Sequence, residues 1–273
     1  MKLRLIAQVA AFFFVATPIL PQQQKGQSQN PPPAAAPKGP KAKSQKELAA
    51  LQKVQQAAQA GNYDAEIAAI NEVLENFADT EYKPMLLNMA MDAAERKGDY
   101  AQTLVWGDRI MENNPKDFTA PILMAATIAQ HTRENDLDKD QSLKKVDDDA
   151  NKGLDLVKSA PADPPTGFNG TAADWANYKR DQTALAHYAL GLAADLRKNY
   201  PEAIQDLKTS NSEATHPSPT TDATLAKVYV DAKQYDDAIA TADKVLSTPD
   251  APAQVKQFAQ AQKDAATKMK GAK

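Results

Sequence analysis

"GDYAQTLVWGDRIMENNPKD", residues 98–117, holds a tight turn, an amphipathic helical stretch and a second turn closed by Pro115. The same arrangement recurs around three other tyrosines. Tyr63 lies in "AGNYDAEIAAINEVLENF", Tyr200 in "RKNYPEAIQDLKTSN" and Tyr235 in "AKQYDDAIATADKVLSTP". Each has a turn, the tyrosine, an acidic or polar pair, and then small and apolar residues at helical spacing. The steps Tyr63 to Tyr100 and Tyr200 to Tyr235 are 37 and 35 residues. A second helical stretch precedes each tyrosine: "KELAALQKVQQAAQA", "PMLLNMAMDAAERK", "TALAHYALGLAADLRK" and "PTTDATLAKVYVDAK". A period in this range is that of stacked helical hairpins, because one hairpin cannot bury its apolar face and its neighbours must complete the core.

The residues that repeat resemble those of the tetratricopeptide repeat (TPR) family. Leu190-Gly191, Tyr200 and Ala203 match its Leu-Gly step, turn tyrosine and small residue. In the next unit Leu225, Ala226, Tyr229, Tyr235 and Ala238 do the same. The Tyr100 unit keeps Gly98-Asp99-Tyr100 and Pro115 but carries Thr103 in place of the small alanine, and the Tyr63 unit has Glu66 there. The resemblance spans residues 45–250 and implies an all-α, right-handed solenoid of about five stacked helix-turn-helix units. Independently of any family, Gly191, Ala203 and Ala238 allow close helix approach, and a tyrosine at the turn can fill the gap to the next unit.

The period breaks between Pro115 and residue 171. "FTAPILMAATIAQH", 118–131, reads as a first helix with Pro121 in its first turn. The polar run "TRENDLDKDQ" stands where a tight turn is usual, and Leu143, Val146, Ala150, Leu154 and Val157 then return to helical spacing. We read a fifth unit here, in the middle of the array, with an inserted loop. "PADPPTGFNG", 161–170, is a further loop, and Thr171 with Asp174 forms a capping-box pattern opening the next helix. Residues 251–273 place Val255, Phe258, Ala265 and Met269 along one face of an otherwise polar stretch. That suits a C-terminal capping helix.

Composition agrees with helices packed through small side chains: 42% of residues are hydrophobic, only 6% are aromatic, and strand-like alternation is rare after residue 45. There is no cysteine, which excludes disulfides, thiolate metal sites, a cysteine nucleophile and acylation of a lipoprotein cysteine. Lys2 and Arg4 precede the apolar run 5–20, which ends at Pro21 and three glutamines. Residues 1–20 therefore read as a signal peptide or, since no small-x-small cleavage site follows, an uncleaved N-terminal anchor. Residues 21–44, rich in Pro, Gln and Lys, read as a disordered tether. Export to the periplasm or cell envelope is the expectation, with possible membrane tethering through the N-terminal segment. Beyond residue 44 there are 26 basic and 35 acidic residues, a formal charge of −9. This argues against nucleic-acid binding by the folded part.

The sharpest candidate for chemistry is "DLDKDQSLKKVD", 136–147, in which Asp136, Asp138 and Asp140 alternate as in a calcium-binding EF-hand loop. Gln141 replaces the glycine of that loop and Asp147 its bidentate glutamate, while Leu143, Val146 and Ala150 already follow a helical period. The competing reading is an acidic turn that caps a helix. "DDD" at 147–149 reads as a solvated helix face, and Trp106 and Trp175 as packing residues. His131, His187 and His216 are too scattered for a local metal motif, and no phosphate loop or nucleophile elbow is present. We expect no cofactor and no enzymatic activity.

The resemblance implies a concave groove lined by the first helices of the units, where the family binds extended or helical peptides. Helical spacing puts Asn88, Asp92 and Arg96 on one face, Tyr188, Leu192 and Asp195 on another, and Lys227 and Asp231 on a third. The set is mixed and lacks the clustered Lys, Asn and Arg that clamp a peptide carboxylate in some family members. The leading expectation is a non-catalytic exported scaffold for a protein or peptide partner. The alternative is a calcium- or small-ligand-responsive protein using the acidic 132–142 insertion.

Overall fold

A computed structural model describes residues 39–165 and 168–272. The signal or anchor reading of 1–20 and most of the tether reading of 21–44 fall outside the described residues. Among those described there are eleven helices and no strand. The first two hairpins are α1 (Gln45–Gln59) with α2 (Tyr63–Asn76) and α3 (Lys83–Lys97) with α4 (Tyr100–Asn113). The central hairpin is α5 (Thr119–His131) with α6 (Lys139–Ser159). Two more follow, α7 (Ala172–Leu196) with α8 (Tyr200–Glu213) and α9 (Pro219–Asp231) with α10 (Tyr235–Ser247). Helix α11 (Ala253–Gly271) packs against α9 and α10. No described helix is long and apolar enough to cross a membrane.

Each hairpin buries its inner faces and passes the remainder to the next unit: α2 packs on α3, α4 on α5, and α8 on α9. This chain of contacts makes a helical-repeat solenoid with a nearly continuous core. One cluster, including Leu51, Ile70, Leu86 and Trp106, serves the first two hairpins and reaches Met124 of α5. A second, including Ile122, Leu143, Leu185, Leu207 and Val228, runs from α5 to Ala238 of α10 and Ala266 of α11. The alanine-rich α5 is buried almost all round because α4, α6 and α7 all lie against it.

Glycines set the closest approaches. A Cβ at Gly191 would stand 2.8 Å from Leu207 Cγ, at Gly153 2.2 Å from Ile122 Cγ1, and at Gly107 2.5 Å from Met124 Sδ. The repeating tyrosines open the second helix of four hairpins, and two of them reach the last turn of the following unit's first helix. The Tyr100 ring lies 4.8 Å from that of His131, and the Tyr63 hydroxyl meets Arg96.

Two loops depart from the regular turn. Residues 132–138 replace it between α5 and α6, and residues 160–171 carry Phe168 onto Trp175 (5.1 Å between rings), whose indole N–H donates to Pro161 O at 2.9 Å. Thr171 and Asp174 form a reciprocal capping box at the start of α7. The end of the segment we read as tether is held to the folded part. The Tyr82 hydroxyl donates to Pro40 O at 2.8 Å, and the Lys43 N–H donates to the buried Glu47 carboxylate at 2.6 Å. Glu47 also accepts from the Thr80 hydroxyl at 2.7 Å, so its burial is compensated by two donors.

Candidate functional site

The first helices α5, α7 and α9, with α11 at one edge, enclose a cavity of about 470 Å³. Its walls are largely apolar: Ala129 from α5, Tyr188, Leu192 and Leu196 from α7, Ala223 from α9, and Phe258 from α11. Polar groups enter from Gln130, Thr132, Arg133 and Glu134 and from Thr220, Thr224 and Asp195. Tyr188 is buried and its hydroxyl meets Thr224 across the gap between α7 and α9.

Asp195 is the charged group set deepest in this wall, with a side chain only 10% exposed. Its Oδ2 lies 2.7 Å from Lys227 Nζ, which also reaches Asp231 at 2.8 Å. The other carboxylate oxygen, Oδ1, is buried without a hydrogen-bond donor. Burial pushes the Asp195 carboxyl up, against the pull of Lys227, with Asp231 and Glu134 adding to the upward shift. Burial works to lower the Lys227 ammonium, but its bonds to Asp195 and Asp231 prevail and the net direction is up. At the rim, Lys198 pairs with Glu134 at 2.9 Å and fixes the 132–138 loop to the end of α7.

The structure thus brings together five of the residues singled out by helical spacing: Tyr188, Leu192 and Asp195 in the cavity wall, Lys227 and Asp231 in one ion cluster beside it. Asn88, Asp92 and Arg96 are elsewhere, on α3. Arg96 Nε pairs with Asp92 at 2.7 Å, and both face α2. Glu66 of α2 is pushed up by burial and by Asp92, with Arg96 opposing. Asn88 donates to Pro84 O of its own helix at 2.9 Å. Asp92 and Arg96 therefore take part in the joint between the first two units.

The three carboxylates of the calcium reading take separate places. Asp136 accepts the Arg133 backbone N–H at 2.6 Å, Asp138 stands at the N-cap position, and Asp140 is already in the first turn of α6. The helix begins before a loop could wrap an ion, and among the described residues no group of three His, Cys, Asp or Glu side chains is arranged to hold a metal.

Sequence reasoning missed Phe258, Gln130 and the loop residues as partners of Leu192, because they approach from helices far away in the chain. It also missed a second, more polar cavity of about 550 Å³ between α6, α7 and α8. There His187 Nδ1 lies 2.8 Å from Asp206 Oδ1, and Arg197 clasps Asp147 with bonds of 3.1 and 2.7 Å. A histidine–carboxylate pair can orient a general base. The hydroxyl among the lining residues, that of Thr183, donates to the Lys179 carbonyl at 3.0 Å.

No protein-family description matches the sequence, and no curated protein is detectably similar to it. Solved structures are similar in shape. MamA residues 41 to the end from Desulfovibrio magneticus RS-1 is 18% identical, with a TM-score of 0.54 over 75% of this chain and 96% of that one. A double mutant of MamA RS-1 is 17% identical, with a TM-score of 0.53 over 82% of this chain and 99% of that one. With its paired helices, turn tyrosines and small-residue contacts, the chain has the tetratricopeptide repeat fold.

Proposed function

We propose that the protein is a non-catalytic scaffold that binds a protein or peptide partner on the concave side of the solenoid, through the cavity walled by α5, α7 and α9. The observation that carries this reading is the cavity itself: an apolar recess on the first helices, edged by Phe258, which is 41% exposed. A mostly apolar pocket edged by a few polar groups is the usual form of a binding site. The charged triad beside the recess supplies orientation, since the apolar walls alone specify little.

Export to the cell envelope belongs to the same reading, supported by the basic start, apolar run and polar exit of residues 1–20. The segment that follows would place the repeat domain at a distance from the membrane, in reach of envelope partners.

The test is affinity capture from the native organism's envelope fraction with the immobilised protein and with a Leu192→Arg variant, which puts a charge into the recess. A partner retained by the wild type and lost by a variant of unchanged helicity supports the reading. A partner held equally by both, or none at all, overturns it.

A further inference from the structure

We infer that Asn169-Gly170 is a site of self-modification, where the asparagine loses its carboxamide nitrogen and the loop before α7 gains a negative charge and a longer main chain. Asn-Gly occurs once in the sequence. Both residues are exposed and lie in the 160–171 loop, outside any helix. Among the described residues neither the Asn169 carboxamide nor the Gly170 N–H has a hydrogen-bond partner. Gly170 has no side chain to hinder its nitrogen, and glycine reaches the backbone angles that bring that nitrogen to the Asn169 carboxamide carbon.

The reaction consumes only water. The Gly170 nitrogen bonds to Asn169 Cγ, the Cγ–Nδ2 bond breaks, and ammonia leaves with the proton that Gly170 gives up. Water then opens the resulting cyclic imide. Opening at Cγ leaves an aspartyl residue. Opening at the main-chain carbonyl leaves an isoaspartyl residue, whose chain runs through the former side chain and is longer by a methylene. Other asparagines are held back by their surroundings. Those within helices, such as Asn88, Asn151 and Asn177, precede an N–H that is bonded to a carbonyl one turn earlier. Asn114 precedes Pro115, which has no N–H, and in the 132–138 loop Asn135 precedes Asp136, whose side chain crowds the attack.

The position gives the change a structural consequence. Phe168 packs on Trp175 and Tyr178, with ring centroids 5.1 and 6.1 Å away, and Phe118 of the α5 N-cap meets Trp175 at 5.7 Å. On the other side of the pair, Thr171 is fixed to Asp174 by hydrogen bonds of 2.8, 2.8 and 3.2 Å. The chain between these two anchors has no slack for an added methylene. Phe168 carries the weaker anchor, since ring contacts yield more readily than the reciprocal, charge-assisted cap. The isoaspartyl form therefore lifts Phe168 from the cluster and opens Trp175, which is otherwise 5% exposed.

The experiment ages the full chain and Asn169→Gln in mildly alkaline buffer, where the attacking nitrogen gives up its proton more readily. Isoelectric focusing and the mass of the tryptic peptide 159–179 follow the change. Asn169→Gln is chosen over Gly170→Ala, whose Cβ would stand 2.8 Å from Phe168 Cε1 and disturb the loop by itself. The same peptide contains Asn177, held within α7, as an internal control. The expected result is one acidic step, with NH2 replaced by OH at Asn169 and not at Asn177, and no such step in Asn169→Gln. Because the fold adds little to the barrier, the rate should lie within about twofold of that in a synthetic 159–179 peptide. Acrylamide should quench the isoaspartyl fraction more than the fresh protein, since Trp106, 1% exposed, gives a constant background. An unmodified Asn169, equal modification at Asn177, or a rate far below that of the peptide overturns the inference. Unchanged quenching in a fraction shown to be isoaspartyl overturns the release of Phe168.

Discussion

Lys233 holds, two residues before Tyr235, the left-handed backbone conformation that Gly98 holds two residues before Tyr100, with φ of 61° and 75° respectively. The turn needs that conformation to bring the second helix back along the first, whatever residue supplies it. Gly adopts it freely, whereas a side chain brings its Cβ close to the following carbonyl. Lys233→Gly is therefore expected to stabilise the C-terminal hairpin by about 0.5–1 kcal/mol, after the entropy that Gly adds to the unfolded chain is counted. A higher urea midpoint checks it, and a lower one shows that the lysine makes a compensating contact in the last turn of α9.

The residue after that position differs too. Asn62 and Asp99 accept the Ala65 and Gln102 N–H groups at 3.1 and 3.2 Å, whereas Gln234 gives α10 no side-chain cap. Gln234→Asn should add about 0.5–1 kcal/mol without adding charge beside Asp236 and Asp237. Thermal unfolding of the pair Gln234→Asn and Gln234→Ala separates capping from helix propensity, because only the first should gain.

Close helix approach makes the opposite forecast for two glycines. Ala at Gly153 would push against Ile122, which is fully buried, and its Cβ would also lie 3.3 Å from the Phe118 carbonyl oxygen. Ala at Gly191 would meet the side chain of the equally buried Leu207. Overpacking of this sort costs about 1–3 kcal/mol and outweighs the roughly 1 kcal/mol by which Ala is the better helix former. Denaturant unfolding should place Gly153→Ala below wild type by more than Gly191→Ala. A gain in stability at either position would mean that the helices can move apart freely.

These positions show what the sequence could and could not reveal. Gly191 stood out because Leu190-Gly191, Tyr200 and Ala203 fall at recurrent positions, and the fold follows from that recurrence. Gly107 and Gly153 carry no such signal, since their partners Met124 and Ile122 lie on a helix that follows an irregular spacing. The same limit governs the site. Helical spacing puts Asn88, Asp92 and Arg96 on one stripe of α3 as surely as it does Tyr188, Leu192 and Asp195 on α7. It does not tell which stripe faces Glu66 and Tyr63 of the previous unit and which faces a recess. Phe258 and Glu134 join the second stripe only through tertiary packing, far from it in the chain.

The cost of burying the Asp195 carboxylate should itself be measurable. Burial raises the Asp195 carboxyl above the ordinary value of about 3.9, despite Lys227. Between the ordinary and the raised value the folded chain holds more protons than the unfolded one, so stability falls as pH rises through that window. Below it both states are protonated and Asp195 carries no penalty of ionisation. Above the raised value the full penalty is present and does not grow further. Asp195→Asn keeps the shape, lacks the titration, and leaves Lys227 its bond to Asp231. The variant should therefore gain on the wild type as pH increases from about 3 toward neutrality, and at neutral pH it should be at least as stable. Thermal unfolding across that range checks the sign. A wild type that is more stable than the Asn variant at neutral pH would show that Lys227 repays the burial of Asp195 within the free protein.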